Sequence, residues 1–295
     1  MPFRILHISD IHTGPPFNPA AAERLIADAH ALNPDLLVIS GDFVQRADFS
    51  RQWQAACELR RRLPQPQLVV AGNHDVPLFL LHERLFRPLD RYRRYITPDL
   101  NPVFTAPGIA VIGACTAHGW TIDGGRLNRD QMQTLRSQLA GLTADTYKVV
   151  VWHHPVGFPP AYRRKRPLVA NAGEAMQLLA EFAVDLLLCG HLHLSFVGNT
   201  RDFLPELRHG TYIVQSGTTT SRRGYGDEHG ANTCNLITIE ADGARVQHLR
   251  FDQRSTGFQP VAEHWLPRPN TTGGDHHHVT PANRSSSRTS SVAGG

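Results

Sequence analysis

Short apolar runs alternate along the chain with tight clusters of polar residues, and the spacing within each run predicts its element. Phe3-Arg4-Ile5-Leu6-His7-Ile8 reads as a core strand. Ala22, Leu25, Ile26 and Ala29 share one stripe of a helix over 19–31, which Asn33-Pro34 breaks. Leu36-Leu37-Val38-Ile39 is apolar without alternation, the pattern of a strand covered on both faces. A helix over 50–63 leads to a third strand over 67–71. This order predicts parallel crossovers, with ligands gathered beyond the carboxyl ends of the strands. Residues 78–95 read as a helix-rich segment carrying Arg91, Arg93 and Arg94. Further strands are predicted over 109–113, 149–152 and 186–189, and helices over 128–139 and 173–182. Late strands over 212–215, 235–239 and 245–251 are expected to be antiparallel, the last two closing a hairpin at Asp242-Gly243.

Five polar blocks follow apolar runs: Asp10-x-His12, Gly41-Asp42, Gly72-Asn73-His74-Asp75, His153-His154-Pro155 and Gly190-His191-x-His193. Gly72 is expected to permit a sharp turn. Carboxylates and imidazoles at strand ends are costly to bury unless something compensates them, and a metal ion does so. The alternate spacing of Asp10 with His12, and of His191 with His193, predicts that both members of each pair leave one side of an extended backbone. Oxygen and nitrogen donors without thiolate suit Mn, Fe or Zn. The donors suffice for two ions, with Asp42 as the natural bridge, and such a pair suits in-line displacement at phosphorus. Each block alone is weak evidence, since Gly and Asp are routine turn residues. Their joint order is specific.

In that order the blocks resemble the calcineurin-like metallophosphoesterase family, whose pattern is D-x-H, G-D, G-N-H-D/E, H and G-H-x-H, over roughly residues 3 to 252. The resemblance implies a four-layer αββα sandwich of two mixed sheets flanked by helices. It also implies two divalent ions, one held by Asp10, His12, Asp42 and His193 and the other by Asp42, Asn73, His153 and His191. His153 rather than His154 follows from the family's H-x-P spacing. The implied chemistry is attack of a metal-bridging hydroxide on a phosphoester. His74, beside Asn73, is the candidate proton donor, and Asp75 orients its ring or else caps a turn. Asp after His, His-His-Pro and Cys-Gly-His-x-His resemble the bacterial class III cyclic-nucleotide phosphodiesterases, so a phosphodiester such as 3′,5′-cyclic AMP is the expected substrate. The alternatives are a phosphomonoesterase or nuclease of the same family, or a non-catalytic binding scaffold.

Composition narrows the picture further. The 295 residues are 41% hydrophobic and 19% charged, as in an ordinary globular protein. Four scattered cysteines favour free thiols over a disulfide framework. No apolar run is long enough to span a membrane and no leader pattern opens the chain, so a cytoplasmic protein without a membrane partner is expected. The net charge of +4 suits a small phosphate-bearing substrate without demanding nucleic acid. A homodimer is expected only on general grounds. The phosphoesterase domain is expected to cover 1–254, and 255–295, rich in Ser, Thr and Gly and holding His276-His277-His278, to be a disordered tail. Tyr162 with Arg163-Arg164-Lys165-Arg166 reads as a solvated loop or a phosphate clamp, and the run from Thr218 to Gly224 as a possible substrate contact.

Overall fold

Strand burial dictates the layering. In the computed structural model, which describes residues 2–160, 162–163, 167–252 and 256–268, all four residues of 36–39 are buried. Leu36 and Val38, with Ile5 of their own sheet, face a second sheet and pack with its Val149, Leu186 and Val214. Leu37 and Ile39 face the opposite way, into a cluster with Leu25 and Trp53 from two helices. The chain runs β1 (Phe3–Ile8), α1 (Pro19–Leu32), β2 (Leu36–Ile39), α2 (Ser50–Arg62), β3 (Gln67–Val69), α3 (Leu81–Phe86) and α4 (Asp90–Tyr95). It continues through β4 (Val103–Ala106), β5 (Ile109–Gly113), α5 (Arg129–Ala140), β6 (Tyr147–Val151), α6 (Ala172–Glu181) and β7 (Leu186–Cys189). The last strands are β8 (Phe196–Asn199), β9 (Tyr212–Gln215), β10 (Asn232–Glu240), β11 (Gly243–Phe251) and β12 (Gln259–Pro267).

The first sheet has the order β12-β11-β10-β1-β2-β3 and the second β4-β5-β6-β7-β9-β8. Leu135 and Leu139 of α5 and Leu178 and Leu179 of α6 cover the outer face of the second sheet, against Val150 and Leu187. Two mixed sheets between helices make the α/β four-layer sandwich. β1, β2 and β3 are parallel, as are β5, β6 and β7, so the carboxyl ends of β1, β2, β3, β6 and β7 all open at one edge of the two sheets.

Three expectations need correction. β9 is parallel to β7 and antiparallel only to β8, a strand that its Gly198 and polar Asn199 hide from an apolar-run reading. β4 is missed for a similar reason, because two of its four residues are exposed. The domain does not end at 254, since β12 pairs with β11 in register from Gly243↔Pro267. Its residues are largely exposed and Leu266 alone is buried, so no period marks it. Arg268 fixes the strand's end by bonding Asp185 at 3.0 Å and the carbonyl of Thr146 at 2.7 Å. His276, His277 and His278, like Arg164, Lys165 and Arg166, lie outside the described residues.

Beneath the strand ends, a buried polar chain crosses the first sheet. His7 Nε2 bonds Ser40 Oγ at 2.9 Å, His7 Nδ1 meets the Asn235 amide at 3.3 Å, and Asn235 Oδ1 meets His248 Nδ1 at 2.6 Å. Burial pushes His7 down to about 3 and His248 down to about 4. Both imidazoles are therefore neutral in the fold while the unfolded chain protonates them near the ordinary value of 6.5. Stability held by this chain is complete above that value and is lost as pH falls toward 4. The urea midpoint should fall between about pH 7.5 and about pH 5, and His248→Gln should flatten the fall. An unchanged slope in the variant would remove this network as its source.

Candidate metal centre

Three of the five blocks, those at Asp10, Asp42 and His191, leave their strands through a backbone that ordinary residues avoid. Asp10, His12, Asp42, His191 and His193 have φ of 53°, 50°, 57°, 76° and 55°. The left-handed region costs an L-residue roughly 1–2 kcal/mol, so five such residues at one edge mark a functional site. This corrects the extended D-x-H and H-x-H expected from alternate spacing. The outcome for the side chains is the same, because the intervening Ile11 and Leu192 turn into the core and the flanking pairs face one another. Three threonines hold the first loop in this shape. Thr218 Oγ1 bonds the Asp10 carbonyl at 2.7 Å, Thr219 Oγ1 receives the Ser9 N–H at 3.1 Å, and Thr220 Oγ1 bonds the Ile11 carbonyl at 2.8 Å. The substrate contact expected of this run therefore does not come from its threonines.

The glycines admit close approach. Gly72 has φ −106° and an extended backbone, so no left-handed turn calls for it. A Cβ there would fall against Asp42 Oδ1. Gly41 combines φ +104° with a Cβ position only 2.6 Å from His153 Nδ1. Gly190 likewise lies hard against Ser9 and Asp10.

The seven expected ligands converge, all buried. Asp10 Oδ1 lies 3.0 Å from His193 Nε2 and 3.4 Å from His12 Nε2. Asp42 Oδ2 lies 3.6 Å from His12 Nε2 and 3.3 Å from His153 Nε2, joining the two halves of the cluster. Asn73 Oδ1 lies 3.2 Å from His153 Nε2 and 3.0 Å from His191 Nδ1. The donors fall into two groups, Asp10, His12, Asp42 and His193 in one and His153, His154 and His191 in the other. His154 adds an imidazole beside the second group, but its Nδ1 is held by Thr116 Oγ1 at 2.8 Å, whereas His153 and His191 both meet Asn73.

The donor set fits divalent metal. Two carboxylates are buried with imidazoles as their only ion-pair partners among the described residues. Burial opposes ionisation of each, yet His193 and His12 hold Asp10, and His153 and His74 hold Asp42, well below the usual carboxylate range. Against its own desolvation, Asp42 raises His153 to about 9. A proton on His153 thus supplies positive charge that the carboxylates demand. His12 Nε2 and His193 Nε2 stand 3.1 Å apart, two nitrogens aimed at one point. Two divalent ions are the cofactors this arrangement accommodates.

Neighbouring residues brace these groups. The His153 Nδ1–H donates to the Ser40 carbonyl at 2.7 Å, aiming Nε2 inward. The Asn73 amide nitrogen reaches Asp123 at 3.5 Å, which turns Asn73 Oδ1 toward the imidazoles. Asp75 does not orient the His74 ring. Its oxygens accept N–H bonds from Asp42, Phe43, Val44 and Gly72 at 2.9–3.3 Å, so it locks the Asp42 loop to the Asn73 loop. Its alternative reading as a turn cap is the one the structure displays. The His74 N–H donates to Asp42 Oδ1 at 2.8 Å. His74 Nδ1 lies 2.8 Å from the Gln45 carbonyl and 3.1 Å from Arg46 Nη1, and Nε2 lies 3.3 Å from Arg223 Nη1; the tautomer with its proton on Nδ1 serves the carbonyl and leaves Nε2 to accept from Arg223. Desolvation first, then His12 and Arg223, push His74 down to about 3 despite Asp42.

A cleft opens beside these groups, lined by Gln45, Arg46, Asn73, His74, Val76, Leu78, Arg84, Ile122, Asp123 and Arg223. Arg46, Gln45 and Asp123 carried no sequence signal, because each is a single polar residue in an irregular loop. Arg223 lies in the run from Thr218 to Gly224 and is its member at the cleft. Arg163 donates its N–H to Tyr225 Oη at 3.1 Å, and Tyr162 packs on Tyr225 with ring centroids 4.6 Å apart. Arg91 pairs with Glu83 at 2.6 Å.

Comparison with known proteins agrees with this geometry. The family model described as calcineurin-like phosphoesterase matches residues 3–195. A metallophosphoesterase of Bacillus subtilis, YkuE, is 33% identical over 75 residues, 25% of this chain and 26% of its own length. A zebrafish (Danio rerio) transmembrane protein with a metallophosphoesterase domain is 36% identical over 73 residues, 24% of this chain and 16% of its own. The matches thus span about a quarter or less of these curated relatives. Among solved structures, the purple acid phosphatase PPD1 of yellow lupin superposes with a TM-score of 0.67 at 13% identity, covering 91% of this chain and 54% of its own. A dimetal phosphatase of Danio rerio gives 0.62 at 13% identity, covering 90% and 99%. At such identities these structures speak to the fold.

Gly72→Ala should leave the fold intact and displace Asp42. Elemental analysis of the purified variant should show metal content well below that of the wild type, with circular dichroism unchanged. Full metal content would show that the Asp42 contact does not govern the site.

Proposed function

The chain belongs to the calcineurin-like phosphoesterase family, and we propose that it is a metal-dependent phosphoric ester hydrolase that cleaves a phosphodiester, with a small nucleotide such as 3′,5′-cyclic AMP as the leading substrate. The observation that carries the reading is Asp42 Oδ2, which faces His12 and His153 from between the two donor groups. Asp10, His12, Asp42 and His193 would hold one ion, and Asp42, Asn73, His153 and His191 the other. Mn, Fe and Zn all suit these donors. When bound, two such ions supply an activated water and neutralise phosphoryl oxygens.

The chain's own groups do the rest. Arg223 and Arg46 place guanidinium groups in the cleft beside Asn73, where they can bind the oxygens of a phosphoryl group. His74 Nε2, an acceptor in this geometry, can take a proton from water and return it to the departing oxygen, while Nδ1 stays tied to Gln45. A diester is favoured over a monoester by the other wall of the cleft. Val76, Leu78 and Ile122 offer an apolar seat for a second esterified group, and the Asp123 carboxylate disfavours a monoester's second charge. A monoesterase is the second reading, and the arginines alone would serve it.

Mn-supplemented protein should hydrolyse bis-p-nitrophenyl phosphate and 3′,5′-cyclic AMP faster than p-nitrophenyl phosphate, with Asn73→Ala inactive on all three. Faster monoester turnover would move the chain to the phosphatase reading with its metal site intact. Loss of every activity in metal-loaded wild type would leave the scaffold reading. His74→Ala should keep its metal and lose roughly 10²–10⁴ in kcat on poor leaving groups. Undiminished kcat on such a substrate would exclude the proton-transfer role.

A further inference from the structure

Apolar side chains crowd the mouth of the cleft on one side. Phe79, Leu81, Leu85 and Phe86 on and beside α3, and Trp120 and Ile122 on the facing loop, are all exposed, Trp120 at 80% and Phe86 at 72%. The two segments form one rim. Arg84 of α3 is buried and donates to the carbonyls of Pro77 and Thr121, and Gly119 packs against the backbone of Arg84. Leu78 and Ile122 continue the rim into the cleft. Large exposed apolar side chains gathered in this way mark an interaction surface.

The rim is held outward by polar structure beneath it. Asp48 accepts the N–H groups of Leu78, Phe79 and Leu80 at 2.8–2.9 Å, which fixes the turn that presents Phe79. Two other nearby acids are engaged as well, while Asp123, beside Ile122, faces into the cleft. Glu83 is bound by Arg91, and Asp90 stands near both Arg87 and Arg93. Arg87, with its side chain 70% exposed, flanks the apolar residues, and Arg51 lies over Phe49 at 5.9 Å. Phe, Leu and Trp bordered by exposed arginine, on a short helix and a loop, match the chemistry of an anionic lipid surface. A second copy of this chain would bring the same arginines against themselves, at a net charge of +4.

We propose that this rim docks the protein on an anionic lipid bilayer and turns the metal cleft toward phosphoesters held at that surface. No helix among the described residues is long and apolar enough to cross a membrane. Interfacial docking needs none. The surface revises the expectation of a chain without a membrane partner, and it rests on the phosphoesterase reading only for the substrate it presents.

The test is co-sedimentation of the full-length protein with vesicles of phosphatidylcholine alone or with phosphatidylglycerol, beside hydrolysis of bis-p-nitrophenyl phosphate in solution. Binding is expected to the anionic vesicles. Phe86→Ser with Trp120→Ser should weaken it by roughly tenfold or more and leave soluble turnover unchanged. Absence of binding with normal turnover overturns the docking surface and spares the phosphoesterase. Binding that the double variant retains overturns it too. So does a dimer in sedimentation velocity that the same variant dissociates, which would assign the rim to a second copy. Vesicle binding by a protein without phosphoesterase activity supports the surface and sinks the catalytic reading instead.

Discussion

Two carboxylates, Asp10 and Asp42, sit at 0% and 1% exposure with imidazoles as their only ion-pair partners among the described residues. Desolvating a carboxylate costs several kcal/mol even after relaxation, and this cost organises the structure around it. Positive charge must be brought to the point where the sheets meet. Four imidazoles aim their Nε2 or Nδ1 atoms there, and His153 takes a proton that its burial alone would strip. A bound divalent ion meets the same demand more fully than a proton does.

The second consequence is geometric. Side chains from five strand ends of two sheets can meet at one point only if the backbones come closer than side chains normally allow. Glycine at 41, 72 and 190 removes the obstructing Cβ, and Asp42 and His191, beside two of these glycines, accept left-handed backbone. The strain is carried by hydrogen bonds that span the fold. Asp75 ties the Asp42 loop to the Asn73 loop, and three threonines from the loop after β9 tie down the loop after β1. Asp75 is thus a residue of the site without touching its reacting atoms, and it preorganises the nearest ligand.

Much of this was legible in the sequence, for a physical reason. A parallel strand buried on both faces has to be apolar throughout, so 36–39 and 186–189 announced themselves, and polar blocks at their ends stood out by contrast. β4, β8 and β12 escaped because half-exposed or edge strands need no such pattern, and β9 was misassigned in direction because apolar residues say nothing of the partner strand. The donors that the fold brings together in two groups were legible as a set. Gly72 and Asp75 were read as part of the set for another cause, since proximity to Asp42 and capping of its loop depend on contacts 30 or more residues apart. Arg46, Gln45 and Asp123 form their environment only in three dimensions.

The cleft's two walls differ in what the fold required of them. Its metal side is fixed by buried charge, and few residue types could stand there. Its outer side is under no such constraint, because Phe86 and Trp120 contribute little to the core and would be safer as polar residues in water. A fold that caps the turn beneath Phe79 with Asp48 and buries Arg84 to hold the 118–122 loop against α3 invests ordered structure in displaying apolar surface. The reason for that display therefore lies outside the isolated chain, at the place where the cleft meets its substrate.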